Sequence, residues 1–310
     1  MEKIKKVIFD KYLIRKSYKQ KQKFSNYIED HLKAIGYTVK KDNYRKNANN
    51  IIVGDVKNAD VILTAHYDTP ANALIPITTG FSNWFIFILS QLFIFFVFIA
   101  LTSVIVAILS FFIKNRLLTI LISYLIVIAY TLQIQWGFAN KNNYNDNTSG
   151  VITLLSIMHN LNQEEREKVC FVFFDEEELG LVGSKHFKDK YNHLIKDKPL
   201  INFDCVANGS HLNFIYKKAF KNSPNFELLN TSAKKVIEKS RKKFRKGRAL
   251  HNIYMSDQLH FKNSVGVVSS VRLPLFGHFI TRIHSHFDTK FDDENIDLLT
   301  DTMLKYINQL

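Results

Sequence analysis

Apolar residues outside the middle of the chain fall in short runs that give way to polar groups. Asp60 to Ala65 is such a run and ends at His66; Val169 to Phe174 ends in Asp175-Glu176-Glu177-Glu178. Leu200-Ile201-Asn202-Phe203 ends at Asp204, and Val265 to Leu273 is a fourth run, rich in β-branched residues. Runs of this length and composition predict buried strands. Between them Val151, Leu154, Leu155 and Met158 keep helical spacing just after Ser149-Gly150. Alternation of the two patterns predicts an α/β fold with a sheet covered on both faces. In open α/β sheets the functional crevice lies outside the carboxyl ends of the strands, so His66 to Asp68, Glu176 to Glu178 and Asp204 are expected to converge there.

The middle of the chain breaks the pattern. No charged residue occurs between Asp68 and Lys114, and none between Arg116 and Lys141. Trp84 to Ile113 and Leu117 to Ile134 are each long enough for a membrane helix, which needs about 20 apolar residues. The tight link Lys114-Asn115-Arg116 makes them a hairpin, and the two tryptophans, Trp84 and Trp136, fall at its outer ends as interfacial anchors on one membrane face. The expected organisation is a discontinuous domain over 1–80 and 138–310, with the transmembrane hairpin at 81–137 inserted into it.

Charge adds direction to this picture. The chain of 310 residues carries 42 Lys+Arg against 28 Asp+Glu, a net charge of +14. Its polar, lysine-rich start is no secretory signal, and fifteen Lys and Arg in the first 80 residues argue for a catalytic domain on the cytoplasmic side, although Lys114 and Arg116 alone favour a cytoplasmic loop. Lys234 to Arg248 holds nine basic residues, with Ala233, Val236, Ile237 and Phe244 available for one face, and reads as a basic helix suited to anionic lipid. No nucleic-acid motif accompanies it, so no nucleic-acid partner is expected. Cys170 and Cys205 lie in apolar runs that read as buried strands, which suits reduced thiols.

The chemistry-bearing residues are imidazoles and carboxylates: His66-Tyr67-Asp68, Asp146-Asn147, Glu177-Glu178 before Leu179-Gly180-Leu181-Val182-Gly183-Ser184, Asp204, and His284 before Ser285-His286-Phe287-Asp288-Thr289. Such donors without thiolates suit a catalytic zinc site rather than a structural one. Five of them could hold two metals if one carboxylate bridges. In order and neighbours these motifs closely resemble the di-zinc aminopeptidases of metallopeptidase family twenty-eight, whose relatives include glutaminyl cyclases. The resemblance starts near Leu32 to Tyr37, continues through Asn49 to Val53, Ser256-Asp257 and Phe261, and covers nearly everything except the hairpin.

The resemblance implies a three-layer αβα zinc-exopeptidase-like mixed sheet and two zinc ions. It implies His66 with Asp204 on one zinc, Glu178 with His284 on the other, and Asp146 bridging. Glu177 would be the general base and Asp68 the carboxylate that orients His66. Glu176 stands where the family has a small residue, but the following Leu-Gly-Leu-Val-Gly-Ser sets Glu177-Glu178 as the pair; spacing to Asp288-Thr289 favours His284 over His286. The implied activity is removal of N-terminal residues from peptides. Glutaminyl cyclisation, a non-catalytic membrane scaffold, and carboxypeptidase or deacylase chemistry stay open as alternatives. Because the hairpin joins two metal-site segments, the catalytic mouth is expected near the bilayer, with membrane-associated peptides as substrates.

Overall fold

The computed structural model describes residues 1–73 and 75–310. In chain order the strands are β1 (Val39–Arg45), β2 (Ala48–Val53), β3 (Val61–His66), β4 (Ile77–Gly80), β5 (Val169–Phe174), β6 (Leu200–Phe203), β7 (His211–Tyr216), β8 (Lys243–Arg248), β9 (Ser264–Leu273) and β10 (Gly277–Ile283). The helices are α1 (Glu2–Lys11), α2 (Tyr18–Ala34), α3 (Trp84–Phe112), α4 (Arg116–Trp136), α5 (Ser149–Asn160), α6 (Gln163–Glu167), α7 (Val182–Ile195), α8 (Lys218–Lys221), α9 (Asn225–Ile237) and α10 (Asp293–Ile307).

All strands join one mixed sheet, ordered β1-β2-β5-β3-β6-β9-β10-β4, with β7 paired to β9 and β8 to β7. Its centre, β5-β3-β6-β9, is parallel. Strand side chains alternate between faces, and the core divides accordingly. Val61, Leu63 and Ala65 of β3 and Val169, Phe171 and Phe173 of β5 meet α1, α2, α5, α9 and α10 on one face. Ile62, Cys170, Val172 and Phe174 meet Phe187 and Tyr191 of α7 on the other. Helices on both faces explain why these strands read as continuous apolar runs. The result is the expected three-layer α/β architecture.

Two sequence expectations within the sheet change, and a third in the hairpin. The basic stretch Lys234 to Arg248 is not one helix: α9 ends at Ile237, and Lys243–Arg248 form β8 at the sheet edge. Phe244 packs edge-on against Phe214 with centroids 5.3 Å apart, and Arg245 reaches Asn252 at 2.7 Å. The charges therefore guard an open strand edge, a common protection against further pairing. Cys170 lies in β5 as expected, but Cys205 sits just past β6 with φ of 53°.

Helices α3 and α4 are long and apolar enough to cross a membrane, and their outer faces are exposed. They run antiparallel: Phe98 and Tyr130, each sixteen residues from Lys114, stack at 4.9 Å. By the same count Trp136 stands level with Leu92, so Trp84 lies eight residues, about 12 Å, farther along the hairpin axis. The tryptophans are thus two turns apart in level, because α3 has 29 residues and α4 has 21.

Those extra turns of α3 are docked on the α/β sheet. Ser90 Oγ accepts the Gly80 N–H at 3.2 Å, and Ile86 packs so closely on β4 that a Cβ at Gly80 would collide with Ile86 and Phe279. On the return, Gln133 donates to the Asn72 carbonyl at 3.0 Å and Lys16 to that of Gln135 at 3.2 Å. Ala139 bridges Ala71, and the Ala73 N–H donates to the His284 carbonyl at 2.6 Å. Beside the start of α3, the β9–β10 turn presents Leu273, Leu275 and Phe276 to the surroundings.

Candidate metal centre

The parallel strands end in the residues singled out from the sequence. His66 closes β3, Glu177 and Glu178 follow β5, and Asp204 follows β6. Asp146 comes from the irregular turn before α5, and His284 from the residue after β10. All are brought together. His66 Nε2 lies 3.5 Å from Asp146 Oδ1 and 3.5 Å from Asp204 Oδ1. His284 Nε2 lies 3.1 Å from Asp146 Oδ2 and 3.4 Å from Glu178 Oε2. Each oxygen of Asp146 therefore faces a different histidine.

These spacings suit a shared metal. Two donors about 2.0–2.2 Å from a tetrahedral zinc lie about 3.3–3.6 Å from each other, as three of these four pairs do, while His284 and Asp146 at 3.1 Å are within hydrogen-bond reach. Asp204 Oδ1 and Glu178 Oε1 are buried with no hydrogen-bond partner among the described residues. The donors within 4.8 Å of one another include His66 with Asp146 and Glu178, and His66 with Glu177 and Asp204. His66 is thus in reach of four carboxylates, and proximity alone does not assign partners. Among the described acids His284 approaches Asp146 and Glu178. Cys205 stands near Asp146 and Asp204, and burial pushes its thiol well above the usual range.

Electrostatics point the same way. Burial raises the carboxyls of Glu177 and Glu178 well above the ordinary range, and neighbouring acids add to it. Burial works to lower the His66 imidazole, yet Glu177, Asp146, Asp204 and Asp68 outweigh it and raise it. Burial works to raise Asp146, but His284 and His66 outweigh it and hold it down. So many acids in a dry site demand cations, and divalent metal ions answer that demand.

The supporting shell explains the motif spacing. His66 Nδ1 faces the Asp68 carbonyl at 3.2 Å and its Oδ1 at 3.5 Å, which leaves Nε2 for a ligand. The Asp68 carboxylate also accepts the N–H groups of Glu177 and Glu178 at 3.1 and 3.2 Å. Glu176 turns away, toward Arg45 and Tyr44. Gly180 takes φ of 100°, and a Cβ at Gly183 would strike the Asp175 carbonyl, so the glycines after the acidic pair are geometric requirements. Glu176, Cys205 and His284 hold left-handed φ of 57°, 53° and 57°, strain concentrated around the cluster. His286 is exposed and points elsewhere.

Four further residues support the site: Asp288, Asn147 and Asp257 lie in the motifs read from the sequence, and Arg15 alone carried no sequence signal. Asp288 accepts the N–H groups of Asn145 and Asp146, each at 3.0 Å, and Asn147 donates to the Phe203 carbonyl at 2.9 Å. Arg15 is wholly buried, bonded to the Tyr67 carbonyl and to Thr148 Oγ1, and so ties the β3 end to the Asp146 turn. Asp257 is buried nearby, and burial pushes it up to about 7. Above the cluster lies a cavity of about 200 Å³ whose walls include Phe81, Ile253, Met255 and Ile280, together with Phe87 and Gln91 of α3.

Comparison with solved structures finds this architecture repeated. A glutaminyl cyclase of Bacteroides thetaiotaomicron is 17% identical, with 99% of this chain and 95% of that chain covered and a TM-score of 0.62. The LapA aminopeptidase of Legionella pneumophila is 12% identical, covering 99% and 69% with a TM-score of 0.58. A Zn-dependent exopeptidase of Parabacteroides distasonis is 15% identical, covering 97% and 93% at 0.57. At these identities the likeness is one of fold. No curated protein matches the sequence. The model of Peptidase family M28 matches residues 136–307, which hold Asp146, Glu177, Glu178, Asp204 and His284 and exclude most of the hairpin. The chain is accordingly a member of Peptidase family M28.

Proposed function

We propose that the protein is a membrane-anchored zinc aminopeptidase that removes N-terminal residues from peptides at the bilayer surface. In this reading His66 and Asp204 hold one zinc, Glu178 and His284 a second, and Asp146 both. The observation that carries it is the Asp146 carboxylate, whose two oxygens each face a histidine with an acid partner of its own. When bound, zinc acts as a Lewis acid that polarises the scissile carbonyl and acidifies water.

The residues do the rest. Glu177 lines the cavity with Asp146 and Asp204, and in this reading it takes a proton from the attacking water and delivers it to the leaving amine. Burial, which raises its carboxyl, strengthens it as a base. Asp68 fixes both His66 and the backbone of the Glu177-Glu178 pair, so one carboxylate aligns a ligand and the base together. Anchoring by α3 and α4, with the site toward the cytoplasm, keeps the mouth at the membrane.

Metal analysis of the full chain in detergent tests this. Two zinc ions per chain, falling on Asp204→Ala, together with hydrolysis of aminoacyl substrates, are the expected result. One zinc, insensitive to that substitution, with cyclisation of N-terminal glutamine, would replace the reading by glutaminyl cyclisation.

A further inference from the structure

The cavity over the acidic cluster is not closed by the catalytic domain alone. Phe87 and Gln91, on the first two turns of α3, form part of its wall. These turns are the ones by which α3 exceeds α4, held to β4 through Ile86 and Ser90. Gln91 stands at the level of Trp136, and its amide makes only a long 3.4 Å contact to Ser90 Oγ among the described residues. The remaining wall is mostly apolar, with Phe81, Ile253, Met255 and Ile280, and adds Thr79 and Tyr254. At about 200 Å³ the space is smaller than the roughly 300–1,000 Å³ of drug-sized pockets. It suits one side chain.

We propose that α3 belongs to the specificity pocket: Phe87 sets the size of the apolar N-terminal side chain that the enzyme takes, and Gln91 hydrogen-bonds the substrate's main chain at the mouth. This rests on the aminopeptidase reading above. The favoured substrates are peptides beginning with an aliphatic residue such as leucine. Among the described residues no Lys or Arg lines the cavity to hold an acidic side chain, and its acids lie with His284 where the scissile bond must sit. The hairpin is then a working part of the enzyme as well as an anchor.

The test uses the full chain, zinc-loaded and reconstituted in nanodiscs, with alanyl, leucyl and phenylalanyl chromogenic substrates. A methylene in an apolar pocket changes kcat/KM by about 10–200-fold. Phe87→Ala should raise the phenylalanyl-to-leucyl ratio of kcat/KM by about tenfold, and Phe87→Trp should lower it; either variant tests the wall if the other fails to fold. Gln91→Leu should raise KM for all three substrates and leave kcat in place. Phe93→Ala, on the exposed side of α3, should leave the ratio unchanged. A ratio unmoved by both Phe87 variants would overturn the proposal while leaving the aminopeptidase reading intact. Wild-type protein that cleaves none of the three would overturn both.

Discussion

The floor and the wall of the cavity are built by opposite rules. The floor gathers Asp146, Glu177, Asp204 and His284 from strand ends and one turn, each fixed by backbone hydrogen bonds and crowded with charge. The wall is mostly apolar, comes from β10, the loop after β8 and the start of α3, and is fixed by packing. Strand ends are rigid and hold charged groups to a fraction of an ångström, whereas an inserted element can change the wall without disturbing them. In the proposed reading, chemistry and selectivity fall to separate parts of the chain.

The sharpest break in the comparison is Glu177→Gln. General acid–base catalysis contributes about 10²–10⁴-fold, so kcat should fall by that factor, while zinc content and the ratio among aminoacyl substrates stay as in the wild type. Loss of zinc along with activity would show that Glu177 is a ligand of the floor and not its base.

Next is the hidden cation beneath the floor. Arg15 is fully buried, and desolvation pulls its guanidinium down to about 10 against the pull of Asp68 and Asp146. Arg15→Met leaves the Tyr67 carbonyl and Thr148 hydroxyl short of a donor and two carboxylates short of a counter-charge. Removing one partner from a buried charged group costs about 3–5 kcal/mol. Thermal denaturation should show a lower Tm with weaker zinc retention; an unchanged Tm would mean that the floor holds its charge without help from the N-terminal segment.

How much of this was readable beforehand follows the same division. The placement of the candidate site residues at strand ends was legible because a buried run that stops at an acid or histidine is a local pattern, and because Gly180 and Gly183 are demanded by the turn beside it. The hairpin was legible from its missing charges. Its docking was not: in Trp84 to Ile113 the residues that face Gly80 and the cavity are, apart from Ser90 and Gln91, as apolar as those that face outward. Equal apolarity also concealed that Trp84 and Trp136 differ in level. Lys234 to Arg248 misled because lysine and arginine serve a helix face and a strand edge alike, and Ser240 was too weak a break to show the change. Arg15 sits in a lysine-rich stretch that reads as solvent-exposed, since composition says nothing of which base is buried.

The wall alone is struck by Gly80→Val. With β4 and α3 in contact at that glycine, the added side chain must push Ile86 and Phe279 apart. Overpacking of this kind costs about 1–3 kcal/mol. Selectivity among aminoacyl substrates should blur, with zinc stoichiometry unaltered. A variant that lost metal instead would show that floor and wall are mechanically one unit.

The smallest effect contrasts the two regions by their titration. On β10, behind the wall, His278 is buried and lies near Arg245, His211 and Arg272; burial first, then those charges, bring it from the ordinary 6.5 to about 4. Its Nδ1 lies 3.0 Å from Ser270 Oγ. Between pH 6.5 and 4 the unfolded chain binds a proton at this site that the folded chain refuses. The stability contributed by the neutral ring is therefore fully present above pH 6.5 and is lost as pH falls toward 4. His278→Asn, which keeps a short polar group near Ser270, removes that titration. The fall in Tm between pH 7 and pH 4.5 should be smaller in the variant than in the wild type. An equal fall would place the acid sensitivity in the floor, whose carboxylates and histidines must then account for all of it.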